Sequence, residues 1–228
     1  MNLFCIPYAG SSSSIYANWK KNLSPSINLY PIELAGRGKK IHEEYYEDFQ
    51  EAVSKISDEI FVKSSNEPYA IFGHSMGGLL TYEVAKHIFK NYKSKPVFVF
   101  ISGINPPKFY QAQKISALSD QEFLSYINGL GGIPKKIMSH PELINFFLPI
   151  LKSDFLLLEN YSQESNSRIN CRIITFAGMD DNLSSHIEEW KGYTNKDFKS
   201  YEFKGDHFFI NQHHPQIINI INKFLKVD

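Results

Sequence analysis

Six short apolar runs, spread along the whole chain, limit what it can fold into. They read "LFCI" from residue 3, "INLYPIEL" from 27, "YAIFG" from 69, "PVFVFISG" from 96, "RIITFAG" from 172 and "KSYEFKG" from 199. Each has strand length, most are rich in Ile, Val, Phe or Tyr, and most end in Gly or another turn residue. Runs that are apolar on both faces suit parallel strands covered on each side. Helical patterns lie between several of them: "YEDFQEAVSKISDEIFVKSS", "GLLTYEVAKHIFKNY" and, last, "PQIINIINKFLKV". The first keeps Phe49, Val53, Ile56 and Ile60 on one side at helical spacing. This alternation predicts an α/β fold, a mostly parallel sheet flanked by helices.

One segment breaks the alternation. From about 108 to 162 there is no convincing strand, only helix-like stretches such as "LSDQEFLSYINGL" and "HPELINFFLPILKSDFLLLENY". Ser119 and Glu122 have the spacing of a capping box, which places a helix start there. Pro149 should bend or interrupt the second stretch. The segment reads as a helical insertion in a single domain of residues 1–228, too short and too dependent to be a second domain.

Bulk composition excludes several classes. Lys plus Arg equals Asp plus Glu at 24 each, so no global field favours nucleic acid or an anionic membrane. The two cysteines, Cys5 and Cys171, sit in apolar runs and read as buried, reduced thiols. No spacing resembles a zinc site. The start "MNLFCIPYAG" lacks the basic and long apolar parts of a secretory signal. No run approaches the roughly 20 apolar residues that span a bilayer. A soluble, cytoplasmic protein is expected. No heptad suggests assembly, so a monomer is too.

The chemistry centres on Gly73-His74-Ser75-Met76-Gly77, which fits G-x-S-x-G between a strand and a helix. In that setting the serine sits on a strained turn, and glycine is needed two residues to either side. The following helix points its amides and positive end at the hydroxyl. Serine is a weak nucleophile until a base takes its proton, and the chain order for such an elbow is Ser, acid, His. Of the eight histidines, His207 follows the last strand and precedes the last helix, where a loop can hang an imidazole over the elbow. His42 and His87 read as solvated loop and helix positions, His140 and His186 as residues near helix starts, His74 as packing beside the elbow, and His213 and His214 as a helix start before Pro215.

The acid should follow "RIITFAG", where Met179-Asp180-Asp181-Asn182 stands. Asp181 has a G-x-x-D spacing from Gly178 and is preferred to Asp180; either can hold the imidazole tautomer. Asp206, next to His207, reads as a loop-capping carboxylate. Donors for a developing oxyanion are expected from the Met76 amide and from the loop "PYAGSSSS", with Ala9 preferred over Tyr8.

Taken with "LFCIPYAGSSSSIYANW", "LAGRGKK", "FGHSMGG", the long 118–161 stretch, "FAGMDDNLSSHIEEW" and "FKGDHFFI", these residues resemble the type II thioesterases. Those are stand-alone α/β-hydrolases that accompany nonribosomal peptide and polyketide synthases. The resemblance implies hydrolysis of unwanted acyl groups from the phosphopantetheine arm of carrier domains, with Ser75 as nucleophile, Asp181 as acid and His207 as base. It implies that the 108–162 insertion is a lid, and that partners are acyl or peptidyl carrier domains and small acyl thioesters. No metal or organic cofactor is implied. Two positions depart from the family: Ala35 replaces a proline before Gly-Arg-Gly, and Ser11 replaces the second glycine after "PYA". Arg37 reads as a structural loop anchor.

Phe146, Phe147, Leu151 and Phe155 recur at helical intervals and can face an acyl channel or pack as ordinary core. Lys135 and Lys136 can meet an acidic carrier surface or stand merely solvated. Rival readings are a medium-chain thioesterase of fatty acid synthesis, a small-ester esterase and, from another class, a binding protein that has lost its chemistry.

Overall fold

A computed structural model describes residues 1–131, 140–163 and 167–226. The six apolar runs form six strands: β1 Asn2–Ile6, β2 Asn28–Pro31, β3 Tyr69–His74, β4 Phe98–Ser102, β5 Arg172–Gly178 and β6 Phe198–Phe203. They lie in the order β2-β1-β3-β4-β5-β6, and every pairing is parallel. β2 stops at Pro31, well short of the apolar run that contains it. It is an edge strand, the position where a residue without an N–H is tolerated.

The strands sort their side chains by parity. Phe4, Ile6, Ile71, Val99 and Ile101 join one buried cluster, with helices α1 (Phe49–Ser64) and α2 (Met76–Tyr92). Leu3, Cys5, Phe72, Phe98 and Phe100 join the other. That second layer is covered by the last helix, which we number α5 (Phe209–Leu225), and by the 3-10 segment Ser13–Lys21 with its buried Tyr16 and Trp19. Period-two alternation with both faces apolar is what a doubly covered sheet requires. Each fully buried residue of the size of Phe72 contributes about 1.5–3 kcal/mol.

Helix limits follow local chemistry in part. Asp48 caps α1 by accepting from the Glu51 amide at 2.7 Å, and Phe49, Val53, Ile56 and Ile60 are all buried. Helix α3 (Asp120–Gly129) opens on the expected capping box, Ser119 and Glu122 bonding reciprocally. Helix α4 runs Pro141–Glu159 and passes through Pro149 without interruption, which leaves a bend as the expected effect of the proline. Both Pro149 and Asn145, whose carbonyl loses its partner, face solvent, so water can satisfy it. Helix α5 begins six residues before Pro215, so His213 and His214 lie inside it and not at its start. The His214 Nδ1 donates to the Asn211 carbonyl at 3.1 Å, the acceptor that Pro215 cannot serve.

Among the described residues, 108–162 holds helices and loops and no strand. Leu148 and Leu151 of α4 pack with Phe123 and Ile127 of α3 in a third, smaller cluster. Lys135 and Lys136 lie outside the described residues. No described helix is long and apolar enough to cross a membrane.

Candidate active site

At the carboxyl edge of the sheet, β3 runs into Ser75 and then directly into α2. Ser75 has φ 55° and ψ −122°, a conformation side chains rarely adopt. Its amide donates to the Ser102 carbonyl of the neighbouring strand at 2.8 Å, which holds the turn. A Cβ at Gly73 would stand 1.9 Å from the Gly77 carbonyl oxygen, and one at Gly77 would stand 2.4 Å from that of Ile6. Backbone therefore occupies the space on both sides, and only glycine fits. Met76 is the first residue of α2, so its amide has no carbonyl within the helix to serve.

His207 lies in the turn between β6 and α5. Its Nδ1 is 3.0 Å from Asp181 Oδ2, both side chains being buried. The same carboxylate accepts from the Ser184 hydroxyl at 2.8 Å and from the Leu183 amide at 2.9 Å. Three donors suit an ionised Asp181 and place the His207 proton on Nδ1, leaving Nε2 as an acceptor. Asp180 is exposed, and its amide goes to the Gly205 carbonyl. Asp206 accepts from the Phe208 amide at 2.9 Å, a loop-capping bond as expected.

Ser75 and His207 line one cavity, together with Tyr8, Ala9 and Met76. The insertion closes it with Tyr126 and Ile127 of α3 and Leu151, Phe155 and Leu158 of α4. About 80 Å³ is open to the centres of water-sized groups. The apolar face expected on α4 divides here: Leu151 and Phe155 reach the cavity, while Phe146 is 51% exposed and Phe147 lies outside it. Leu151 is also core, so both readings of that face hold in part.

His74 lies beneath the site. Its Nδ1 is 2.8 Å from the Ser102 hydroxyl, and its ring centroid is 5.0 Å from that of His207. Burial and the adjacent His207 hold its pKa well below the ordinary histidine value, so it stays neutral. Arg37 and Asp154 form a buried ion pair nearby, with both forked distances 2.6 Å. Arg37 is the loop anchor expected of it. Asp154 escaped sequence reading, although a carboxylate at helical spacing from Leu151 and Leu158 was the available signal. The two departures also have partners: the Ala35 amide meets the Tyr46 hydroxyl at 3.3 Å, and the Ser11 hydroxyl donates to the Tyr8 carbonyl at 2.7 Å.

Residues 1–225 match the family model described as "Thioesterase domain". The chain is 31% identical to the gramicidin S biosynthesis protein GrsT of Aneurinibacillus migulanus, covering all of this chain and 90% of that one. It is 30% identical to the medium-chain S-acyl fatty acid synthase thioesterase of Anas platyrhynchos, covering 91% and 84%. The solved structure of ClbQ, from the colibactin NRPS/PKS pathway, superposes with a TM-score of 0.91 at 33% identity, covering 97% and 95%. Such agreement in sequence and in three dimensions also fixes the fold as that of the α/β-hydrolases. The chain belongs to the thioesterase family and is a hydrolase acting on thioester bonds.

Proposed function

We propose that the protein strips aberrant or stalled acyl groups from the phosphopantetheine arm of carrier domains in a nonribosomal peptide or polyketide synthase. The observation that carries the catalytic part is the Asp181–His207 hydrogen bond at the rim of the cavity that holds Ser75. The biosynthetic part draws on GrsT and ClbQ, whose names tie them to such pathways.

In this reading His207 Nε2 takes the Ser75 proton as Oγ attacks the thioester carbonyl. The oxyanion forms against the amides of Met76 and Ala9. Its collapse expels the pantetheine thiol, which receives the proton from His207, and leaves an acyl-serine. Water then enters, gives a proton to His207 and attacks the ester. Collapse returns that proton to Ser75 and releases the acid. Asp181 stabilises the imidazolium in both halves. These steps call for no metal or organic cofactor. The 108–162 insertion acts as a lid, since α3 and α4 build one wall of the cavity.

A medium-chain fatty acyl thioesterase is the second reading, favoured by the Anas relative. Acyl chain length separates the two readings.

The deciding experiment presents acetyl-, propionyl- and decanoyl-phosphopantetheinyl carrier domains to the protein and follows free carrier by mass spectrometry. Release of the short acyl groups by wild type and not by Ser75→Ala supports the proposal. Preference for decanoyl would move it to the second reading, and undiminished release by the variant would refute the mechanism.

A further inference from the structure

Helix α4 and the loop that carries Ala9 meet at the Arg37–Asp154 pair. Asp154 is 1% exposed and Arg37 3%, and a buried pair of this kind tolerates little misplacement because each ion has lost its water. The pair reaches the loop at two points. Asp154 Oδ2, already bonded to Arg37, accepts the Gly10 amide at 2.7 Å. Arg37 Nη1 donates to the Ser11 carbonyl at 3.2 Å. Gly10, at φ 76°, also rests on α4 directly: a Cβ there would stand 2.2 Å from Leu151 Cδ2.

Ser11 passes the constraint on. Its amide and its hydroxyl both donate to the Tyr8 carbonyl, at 3.1 and 2.7 Å. That carbonyl and the Ala9 N–H belong to one planar trans peptide, so holding the oxygen from one side aims the N–H to the other. The path from α4 to the Ala9 amide thus runs through hydrogen bonds to Gly10 and Ser11, the short stretch of chain between them, and one rigid peptide plane.

We infer that Asp154, acting with Arg37, is a positioning residue for the reaction: it aims the Ala9 amide at the oxyanion, and does so only while α4 is seated. The inference rests on the serine mechanism proposed above. It joins the lid to the chemistry, since displacing α4 withdraws the acceptor of Gly10 and frees the loop that carries the second donor.

The test compares wild type with Asp154→Asn and Arg37→Lys, the latter keeping the charge but losing the fork. Three quantities are read: kcat and KM for the propionyl thioester of N-acetylcysteamine, the affinity of propylboronic acid, and amide exchange at Ala9 and Gly10 in the free protein. The boronate forms a tetrahedral anion on a reactive serine and so reports on the oxyanion site. For Asp154→Asn, kcat should fall about 10²-fold with KM changed less than about 3-fold, as when one oxyanion donor is lost. Boronate affinity should fall in proportion, and Gly10 exchange should quicken at least about 10-fold as its acceptor weakens. Arg37→Lys should show the same pattern, smaller. If Asp154→Asn does not fold, Arg37→Lys decides.

A loss confined to KM, unchanged boronate affinity or unchanged exchange would overturn the inference, as would loss of folding in both variants, which marks a purely structural pair. Wild type that neither hydrolyses the thioester nor takes boronate would refute the proposed reaction instead. The exchange data would then still decide whether α4 holds the loop.

Discussion

Replacing Asp181 by Asn alters one atom and should silence the base beside it. Asp181 Oδ2 faces two donors, His207 Nδ1 and the Ser184 hydroxyl, and Oδ1 faces a third, the Leu183 amide. An asparagine NH₂ must take one of those places. Toward Leu183 it opposes an N–H, at a cost of about 1–3 kcal/mol for the unsatisfied pair. Toward His207 it donates to Nδ1, moves the ring proton to Nε2 and removes the acceptor for Ser75. Triads elsewhere lose about 10⁴-fold in kcat when the acid is replaced, which is about 5 kcal/mol of barrier. Asp180→Asn, at an exposed side chain, should stay within about 3-fold, since surface changes are usually small. Released thiol from an acyl N-acetylcysteamine substrate, followed with a chromogenic disulfide, measures both, with circular dichroism to show that each variant is folded. A larger loss in Asp180→Asn, or an active Asp181→Asn, would refute the assignment of the acid.

Phe155→Ala should widen the cavity wall and shift acyl preference toward longer chains. Because Phe155 is only partly buried, the substitution should also cost less in urea unfolding than the roughly 3–5 kcal/mol of a core Phe→Ala; an unchanged preference would remove Phe155 from the acyl site. Gly77→Ala should give no stable enzyme, because its methyl would meet the Ile6 carbonyl oxygen at 2.4 Å. Wild-type melting and turnover in that variant would contradict the close packing at the elbow. His74 makes a prediction about acid. Its pKa is depressed in the folded chain, so below about pH 6.5 the unfolded chain binds a proton that the native one refuses. Stability should therefore fall on acidification from that point, at up to about 1.4 kcal/mol per pH unit from this group. Urea titrations from pH 7.5 to 5.5 should show a shallower slope for His74→Gln, and equal slopes would count against a neutral, buried His74.

What this chain's sequence determined by itself is what neighbouring residues decide among themselves. Alternation within "LFCI" separates Leu3 and Cys5 from Phe4 and Ile6 before any partner is known, because a pleated strand turns successive side chains to opposite faces. Ser119 and Glu122 mark a helix start because their bonds close within four residues. Gly73 and Gly77 mark the elbow, and chain order with the G-x-x-D spacing points to His207 and Asp181. The course of α4 through Pro149 and the start of α5 were not legible. Pro149 and Pro215 remove a local bond that solvent and His214 replace, and whether a replacement exists depends on how each helix faces its surroundings. Least legible was the tie of Asp154 to Arg37 and Gly10, across 117 and 144 residues of chain. A charge on an apolar helix face announces that it needs a partner but not which one. Only the packing of α4 over the carboxyl edge of the sheet brings that partner within reach and removes the water that would otherwise serve in its place.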